Sequence, residues 1–106
     1  MNISKSEIES TTVFRLEGDL DTNSSPLAEE AFSEAIAGGC GSMLVNLSDV
    51  GFVSSAGLRV LLAAAKRLGG ELRVCGLNET VNEVFEISGF ITIFSVFPTE
   101  EEALQG

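Results

Sequence analysis

Met43-Leu44-Val45-Asn46-Leu47 is a short apolar run of the kind found in a strand that is buried on both faces. Residues 48–54 follow as a loop, and the pattern then predicts a helix over residues 55–68, closed by Gly69-Gly70. A buried strand that leads through a loop into a helix is the repeating unit of a parallel sheet with helical crossovers.

Elements of alternating type extend from this unit toward both ends of the chain. Toward the N-terminus, strand patterns at residues 2–8 and 11–17 precede a helix that starts at Ser24-Ser25-Pro26, with a serine cap before a proline at the first helical position. Gly38-Gly39 ends this helix. Toward the C-terminus we expect a strand at residues 72–75, a helix capped by Asn78, a strand at residues 92–96 and a helix opened by the capping box Thr99-Glu100-Glu101-Glu102.

This order, ββαβαβαβα, predicts an α/β fold in one domain over residues 1–106. The two opening strands can form a hairpin at one edge, and the later strands alternate with helices, which favours parallel pairs. We therefore expect a mixed, mostly parallel sheet of about five strands packed with about four helices.

Composition limits the classes of partner. The 106 residues carry 16 acidic and 6 basic side chains, a formal net charge of -10. Such a charge repels the phosphates of nucleic acids and anionic membrane surfaces, so we expect no direct nucleic-acid binding. No apolar run is long enough for membrane insertion, and the first residues lack the pattern of a signal peptide, which together predict a cytoplasmic protein.

An enzyme is the least favoured class. The chain has no histidine, and its two cysteines, Cys40 and Cys75, show no metal-ligand or CxxC spacing. No nucleophile–base pair is recognisable, so the sequence predicts no catalytic residue, no metal site and no cofactor.

Ser54 and Ser55 stand where the central loop meets its helix, and a hydroxyl there has two possible uses. As an N-cap it accepts a hydrogen bond from a first-turn N–H, worth about 1 kcal/mol. As a phosphate acceptor it would carry a phosphate group at the helix N-terminus, where the helix dipole favours an anion. The physics of the sequence leaves both uses open.

One face of the same helix contains apolar and charged groups side by side. At 100° per residue Ser55 points away from the apolar stripe, on the side of Arg59 and Lys66, and Leu62 lies at the border. This face is either a docking surface or a solvated face. The stripe itself comprises Leu58, Leu61, Ala65 and Leu68.

The run Asp49-Val50-Gly51-Phe52-Val53-Ser54-Ser55-Ala56-Gly57-Leu58 resembles the signature loop of the STAS domain family, in particular that of anti-sigma factor antagonists. Two further segments resemble the family's turn after the second strand and its closing segment, namely Gly18-Asp19-Leu20-Asp21 and Phe97-Pro98-Thr99. The resemblance covers nearly the whole chain.

The resemblance implies a regulatory binding protein. The unmodified form would bind an anti-sigma factor, often a serine kinase, so that a sigma factor is released. Phosphorylation would end the binding, and a phosphatase would restore it. The serine two positions before the glycine, here Ser55, is the implied acceptor, with Ser54 as second choice. The implied partner-binding residues are Asp21, Asp49, Ser54, Ser55, Gly57, Arg59 and Leu62. Asp49 could equally hold the loop by capping backbone N–H groups.

Two departures from the family pattern leave alternatives open. Ser54 stands where many phosphorylated members have Asp, and Ala56 stands where they have Ser or Thr. The alternative function is a STAS scaffold or interaction subunit of a larger sensor or transport-associated complex, without phosphorylation. Nucleotide binding has no Walker-type or GxGxxG loop to support it.

Overall fold

The computed structural model describes residues 1–69 and 72–106. Five strands and four helices follow one another in the predicted order, which confirms the α/β assignment. Their bounds are β1 Asn2–Ile8, β2 Thr11–Glu17, α1 Ser25–Ala37, β3 Met43–Asp49, α2 Ser55–Arg67, β4 Leu72–Cys75, α3 Glu79–Ile87, β5 Ser95–Phe97 and α4 Glu100–Gln105. Helix α2 has Leu68 as its C-cap, and Gly70, part of the predicted helix end, lies outside the described residues.

The strands form one mixed sheet in the order β1-β2-β3-β4-β5. Strand β1 pairs with β2 in an antiparallel hairpin, and the other neighbours are parallel. Because consecutive parallel strands joined by right-handed crossovers place their helices on one face, α1, α2 and α3 cover the same side of the sheet. The predicted architecture is confirmed.

Alternation along β3 divides the interior into two cores of unequal size. Met43, Val45 and Leu47 belong to the larger core, under α1, α2 and α3. Leu44 points to the opposite face, where it packs in a small cluster with Val13, Cys75 and Ala103 of α4. The sheet is therefore covered on both faces, as the continuous apolar run of β3 requires.

The last strand lies further along the chain than its sequence pattern predicts. Residues 92–96 were expected as a strand, whereas β5 is Ser95–Phe97 and a 3-10 turn occupies Phe90–Thr92. Gly89 enters this turn with a positive φ of 79°. The ring of Phe94, which is 5% exposed, packs 5.6 Å from Phe85 and 6.1 Å from Phe90, measured between centroids. This aromatic cluster holds the segment in the helical layer.

The start of α1 also differs in detail from the prediction. Ser24 is the N-cap residue, but its hydroxyl donates to the carbonyl oxygen of Asp19 at 2.7 Å and accepts from the Asp21 N–H at 2.9 Å. The Ser24 hydroxyl is thus used within the turn before the helix and makes no capping bond to a first-turn N–H, so the predicted serine cap is not formed. Because Ser25 is already helical, Pro26 is the second helical residue and not the first.

No helix within the described residues is long and apolar enough to cross a membrane. Among the same residues, no group of three or more His, Cys, Asp or Glu side chains could hold a metal ion.

Candidate functional site

The loops that follow β2 and β3 meet at one edge of the sheet, where the parallel strands end. The N–H of Leu20 donates to the carbonyl of Phe52 at 2.9 Å, and the N–H of Ser54 donates to the carbonyl of Leu20 at 2.9 Å. Leu20 and Val53 form an isolated parallel bridge, and both side chains are fully buried. The loop that carries the two serines is therefore fixed against the loop after β2.

Gly57 allows α2 to begin directly on this junction. A Cβ atom at position 57 would lie 2.6 Å from the backbone oxygen of Leu20 and 2.8 Å from its Cγ. Real Cβ atoms do not approach that closely, so any side chain here would push α2 off the loop. The structure gives this predicted binding residue a packing function beneath the surface.

The two serines have different environments. Ser54 has an extended backbone, is half-buried and caps α2, its hydroxyl oxygen accepting the Gly57 N–H at 3.2 Å. Ser55 is the first residue of α2 and its side chain is exposed. The hydroxyl of Ser54 is thus committed to the helix start, and the hydroxyl of Ser55 faces solvent at the positive end of the helix dipole.

The carboxylate of Asp21 is used within its own turn. Its Oδ1 accepts the N–H groups of Asn23 and Ser24, each at 3.0 Å. The bond from the Ser24 N–H is the main cause that holds the pKa of Asp21 below its ordinary value. Asp49 is exposed and holds the neighbouring loop through its backbone, since its carbonyl accepts the Gly18 N–H at 3.0 Å.

Arg59 and Leu62 lie on the face of α2 that the helical spacing predicts. Arg59 is exposed and lines a groove of about 450 Å³ between the starts of α1 and α2, together with Thr22, Pro26 and Ala56. Leu62 is half-buried and packs at the margin of the larger core. Ser55, Arg59 and Leu62 are therefore brought to one surface.

Sequence reasoning missed two residues of this edge. Asn78 was predicted only as a helix cap, and its Oδ1 does accept the Val81 N–H at 2.7 Å. Its Nδ2 also donates to the carbonyls of Val50 and Gly51, at 3.2 and 3.3 Å, which ties α3 to the serine loop. Phe52 is 43% exposed beside the same loop. The sequence signal for both was available, because Asn78 follows β4 and Phe52 follows β3, whose carboxyl ends share this edge.

This α/β fold presents an exposed serine, Ser55, at a helix N-terminus on the carboxyl edge of a mixed sheet. The family model described as STAS domain matches residues 2–103. The chain therefore belongs to the STAS domain family, as its loop sequence indicates.

Individual proteins similar to this chain agree with the family assignment. BtrV of Bordetella bronchiseptica, named as a candidate anti-sigma factor antagonist, is 35% identical over 106 residues, which cover 97% of this chain and 91% of BtrV. The solved structure of the anti-sigma factor antagonist SpoIIAA in its unphosphorylated form is 26% identical, with a TM-score of 0.84, and the match covers 98% of this chain and 94% of SpoIIAA. The phosphorylated form of the Bacillus SpoIIAA matches with a TM-score of 0.75 at 25% identity, covering 98% and 97%.

Proposed function

We propose that this protein is an anti-sigma factor antagonist whose binding to an anti-sigma factor is switched off by phosphorylation of Ser55. The main support for the proposal is that the two adjacent serines have different environments. Ser54 caps α2, which leaves the exposed hydroxyl of Ser55 as the group that a kinase can reach. The relatives named as antagonists, and a similar protein solved in a phosphorylated form, support the same function.

The start of α2 is suited to accept a phosphate without unfolding. A helix N-terminus favours an anion through its free N–H groups and its dipole. Arg59 lies one turn further along on the same face, where its guanidinium can partly neutralise the added charge. The effect of phosphorylation is therefore expected at the partner surface and not in the fold.

The partner surface surrounds Ser55. We place the exposed or half-buried side chains of Asp21, Asp49, Arg59 and Leu62 in it, and add Phe52 because of its exposure. Ser54 and Gly57 act in it by fixing the start of α2. A phosphate adds about -1.5 to -2 charges at the centre of this surface, and its desolvation opposes docking. A loss of about 2.7 kcal/mol of binding free energy would weaken the complex roughly 100-fold.

In the cycle we propose, the unmodified protein binds an anti-sigma factor that is a serine kinase, and a sigma factor is released. The kinase then phosphorylates Ser55, the complex separates, and a phosphatase restores the binding form. The protein acts as a regulated binding partner in the cytoplasm and not as an enzyme.

The proposal is tested by affinity capture from host cells with tagged Ser55→Ala and Ser55→Glu variants. Ser55→Ala is expected to retain an anti-sigma factor, and Ser55→Glu to retain it roughly 100-fold less well. Ser95→Glu is the matched control, because Ser95 is exposed at the start of β5, away from the serine loop. Equal capture of one partner by all three variants would instead support the scaffold function.

A further inference from the structure

Strand β1 is an edge strand with one side open. Among the described residues its only neighbour in the sheet is β2. The hairpin between them has a two-residue loop, Glu9-Ser10, in which both residues have positive φ, 48° and 70°. These are the dihedral signs of a type I′ turn, in which the flanking pair, Ile8 and Thr11, is hydrogen-bonded.

This turn determines which backbone groups of β1 are free. In an antiparallel ladder hydrogen-bonded and non-hydrogen-bonded pairs alternate. Because Ile8 is in a hydrogen-bonded pair, every second residue before Ile8 also bonds to β2. The N–H and C=O groups of the residues between them, Glu7, Lys5 and Ile3, therefore point to the open side. Their side chains lie on the helical face of the sheet, because Lys5 and Ile3 are opposite the core residues Phe14 and Leu16.

Charge favours one self-complementary register for this edge. If two copies of β1 pair antiparallel about a two-fold axis at Ser6, Lys5 lies opposite Glu7 of the second copy, and the symmetry repeats the pair. Opposite charges in directly facing positions stabilise a strand pair by about 0.2–1 kcal/mol each. Moving the axis to Lys5 would place two lysines face to face, which is unfavourable.

A groove with both apolar and charged lining residues accompanies the open edge on the same face. It lies between β1 and α1 and has a volume of about 370 Å³. Its lining combines the apolar side chains of Met1, Ile3, Phe14, Leu27 and Ala31 with the polar or charged side chains of Asn2, Lys5, Glu30 and Glu34. Leu27 is 48% exposed and lines this groove together with the buried Phe14. A second copy paired along β1 would bring its own α1 and β1 side chains toward this groove and reduce its exposure to water.

We propose that β1 is a self-association surface, through which two copies form a continuous ten-stranded sheet with Ser6 on the two-fold axis. The contact is small, below about 1,200 Å², which corresponds to a weak and reversible dimer. Because the two β1 strands are antiparallel, the two Ser55 surfaces lie at opposite ends of the dimer. Each remains accessible to a partner, so self-association and the proposed switch are compatible.

Disulfide trapping tests the register. Residues facing each other on the axis in a non-hydrogen-bonded pair have Cα atoms about 4.5 Å apart, within the disulfide range of about 4.4–6.8 Å. In a Cys40→Ser background, which leaves only the buried Cys75, Ser6→Cys is expected to form a covalent dimer under mild oxidation. Ser4→Cys is the matched control, because its two copies would be about 14 Å apart along the strands. We expect at least about tenfold more dimer from Ser6→Cys; equal yields, or none from either variant, would overturn the proposal.

A charge-exchange cycle followed by light scattering tests the ion pairs. Lys5→Glu and Glu7→Lys are each expected to weaken the dimer about tenfold, and the double variant, which restores opposite charges, to recover it. Glu7 also accepts a hydrogen bond from the Thr12 hydroxyl at 2.7 Å, so thermal unfolding of each variant must show that it is folded. Lack of recovery in a folded double variant, or a monomeric unmodified protein at about 1 mM, would contradict a β1 dimer.

Discussion

Ser54 and Ser55 are adjacent at the start of α2, but their hydroxyl groups have different environments because only Ser55 lies within the helix. Ser54 is outside the helix with an extended backbone, so its side chain reaches back to the Gly57 N–H. Ser55 is inside the helix, and its side chain points outward. The family resemblance favours Ser55 over Ser54 as the proposed phosphate acceptor. The physics of the sequence leaves both residues open, because the use of each hydroxyl depends on which residue is the first of the helix.

This difference predicts stability effects of different size for two matched variants. Ser54→Ala removes the cap and is expected to lower the free energy of unfolding by about 1 kcal/mol. Ser55→Ala removes an exposed hydroxyl and is expected to change it by less than about 0.5 kcal/mol. Urea unfolding of the two variants measures both values. Equal destabilisation by the two would mean that the hydroxyls share the capping function.

Arg59 is expected to act on the phosphorylated form more than on the unmodified one. Arg59→Ala removes the nearest cation on the helix face, so phosphate on Ser55 would lose a partly neutralising charge. We expect a lower rate or extent of phosphorylation, or altered partner binding, with thermal stability unchanged. Lys66→Ala is the control, because Lys66 lies about two helical turns beyond Arg59 and is therefore much further from Ser55. Unchanged phosphorylation and binding in Arg59→Ala would remove Arg59 from the mechanism.

At the scale of elements, the junction between α2 and the loop after β2 fixes the serine surface. The contact of Gly57 with the Leu20 backbone cannot be inferred from sequence spacing, because the two segments are far apart in the chain and meet only when β2 and β3 pair. The sequence predicted the type and order of the elements, although it placed the last strand too early, and it gave no distance between the ends of β2 and β3 and the start of α2.

Gly57→Ala is expected to destabilise the protein although alanine is the better helix former. The added Cβ would lie 2.6 Å from a backbone oxygen, which forces α2 or the loop to move. Such overpacking costs about 1–3 kcal/mol, more than the gain in helix propensity of about 1 kcal/mol. Chemical unfolding measures the net effect. A stabilised Gly57→Ala protein would show that α2 is not seated on Leu20 as described.

A second contact between elements attaches α4 to the sheet. Arg15 donates from Nε and Nη2 to the two carboxylate oxygens of Glu100, at 2.9 and 2.8 Å, and Asn46 donates to the same carboxylate at 3.1 Å. The bonds from Arg15 are the main cause that lowers the pKa of Glu100 from its ordinary value of 4.5. The sequence predicted α4 from its capping box, but not this ion pair, which joins residues 85 positions apart.

The lowered pKa of Glu100 predicts a pH-dependent contribution to stability. A carboxyl group with a lower pKa in the folded state stabilises the fold above its unfolded pKa, and the contribution is lost as the pH falls through the folded value. Glu100→Gln should therefore be less stable than the unmodified protein near pH 7, with the difference shrinking below about pH 4.5. Glu101→Gln, an exposed neighbour in the same helical turn, is the control. A difference that is independent of pH would contradict the ion pair.

For the whole molecule, hydrophobic patterns predicted the fold, whereas the candidate site was predicted from the loop that resembles the STAS signature. Alternation of apolar runs with helical spacing was sufficient for the element order, because burial on both faces of a parallel sheet leaves few other arrangements. The last strand was placed too early because Thr92-Ile93-Phe94 is apolar enough for a strand, whereas Phe94 packs on the ring of Phe85 in α3 and on that of Phe90 in the 3-10 turn. The contacts of the Phe94 ring are made with other elements of the fold, so the local sequence pattern of residues 92–96 does not predict them.

The proposed switch depends on the position of Ser55 and on the net charge of -10, because a phosphate added at Ser55 would increase repulsion from acidic groups of a partner. The most direct measurement is the intact mass of the protein purified from its own host under growth and stress conditions, with peptide mapping across residues 49–67. We expect a fraction heavier by about 80 Da, with the added mass on Ser55. Phosphate on Ser54 would contradict the assignment of the acceptor, and no phosphate under any condition would contradict the switch.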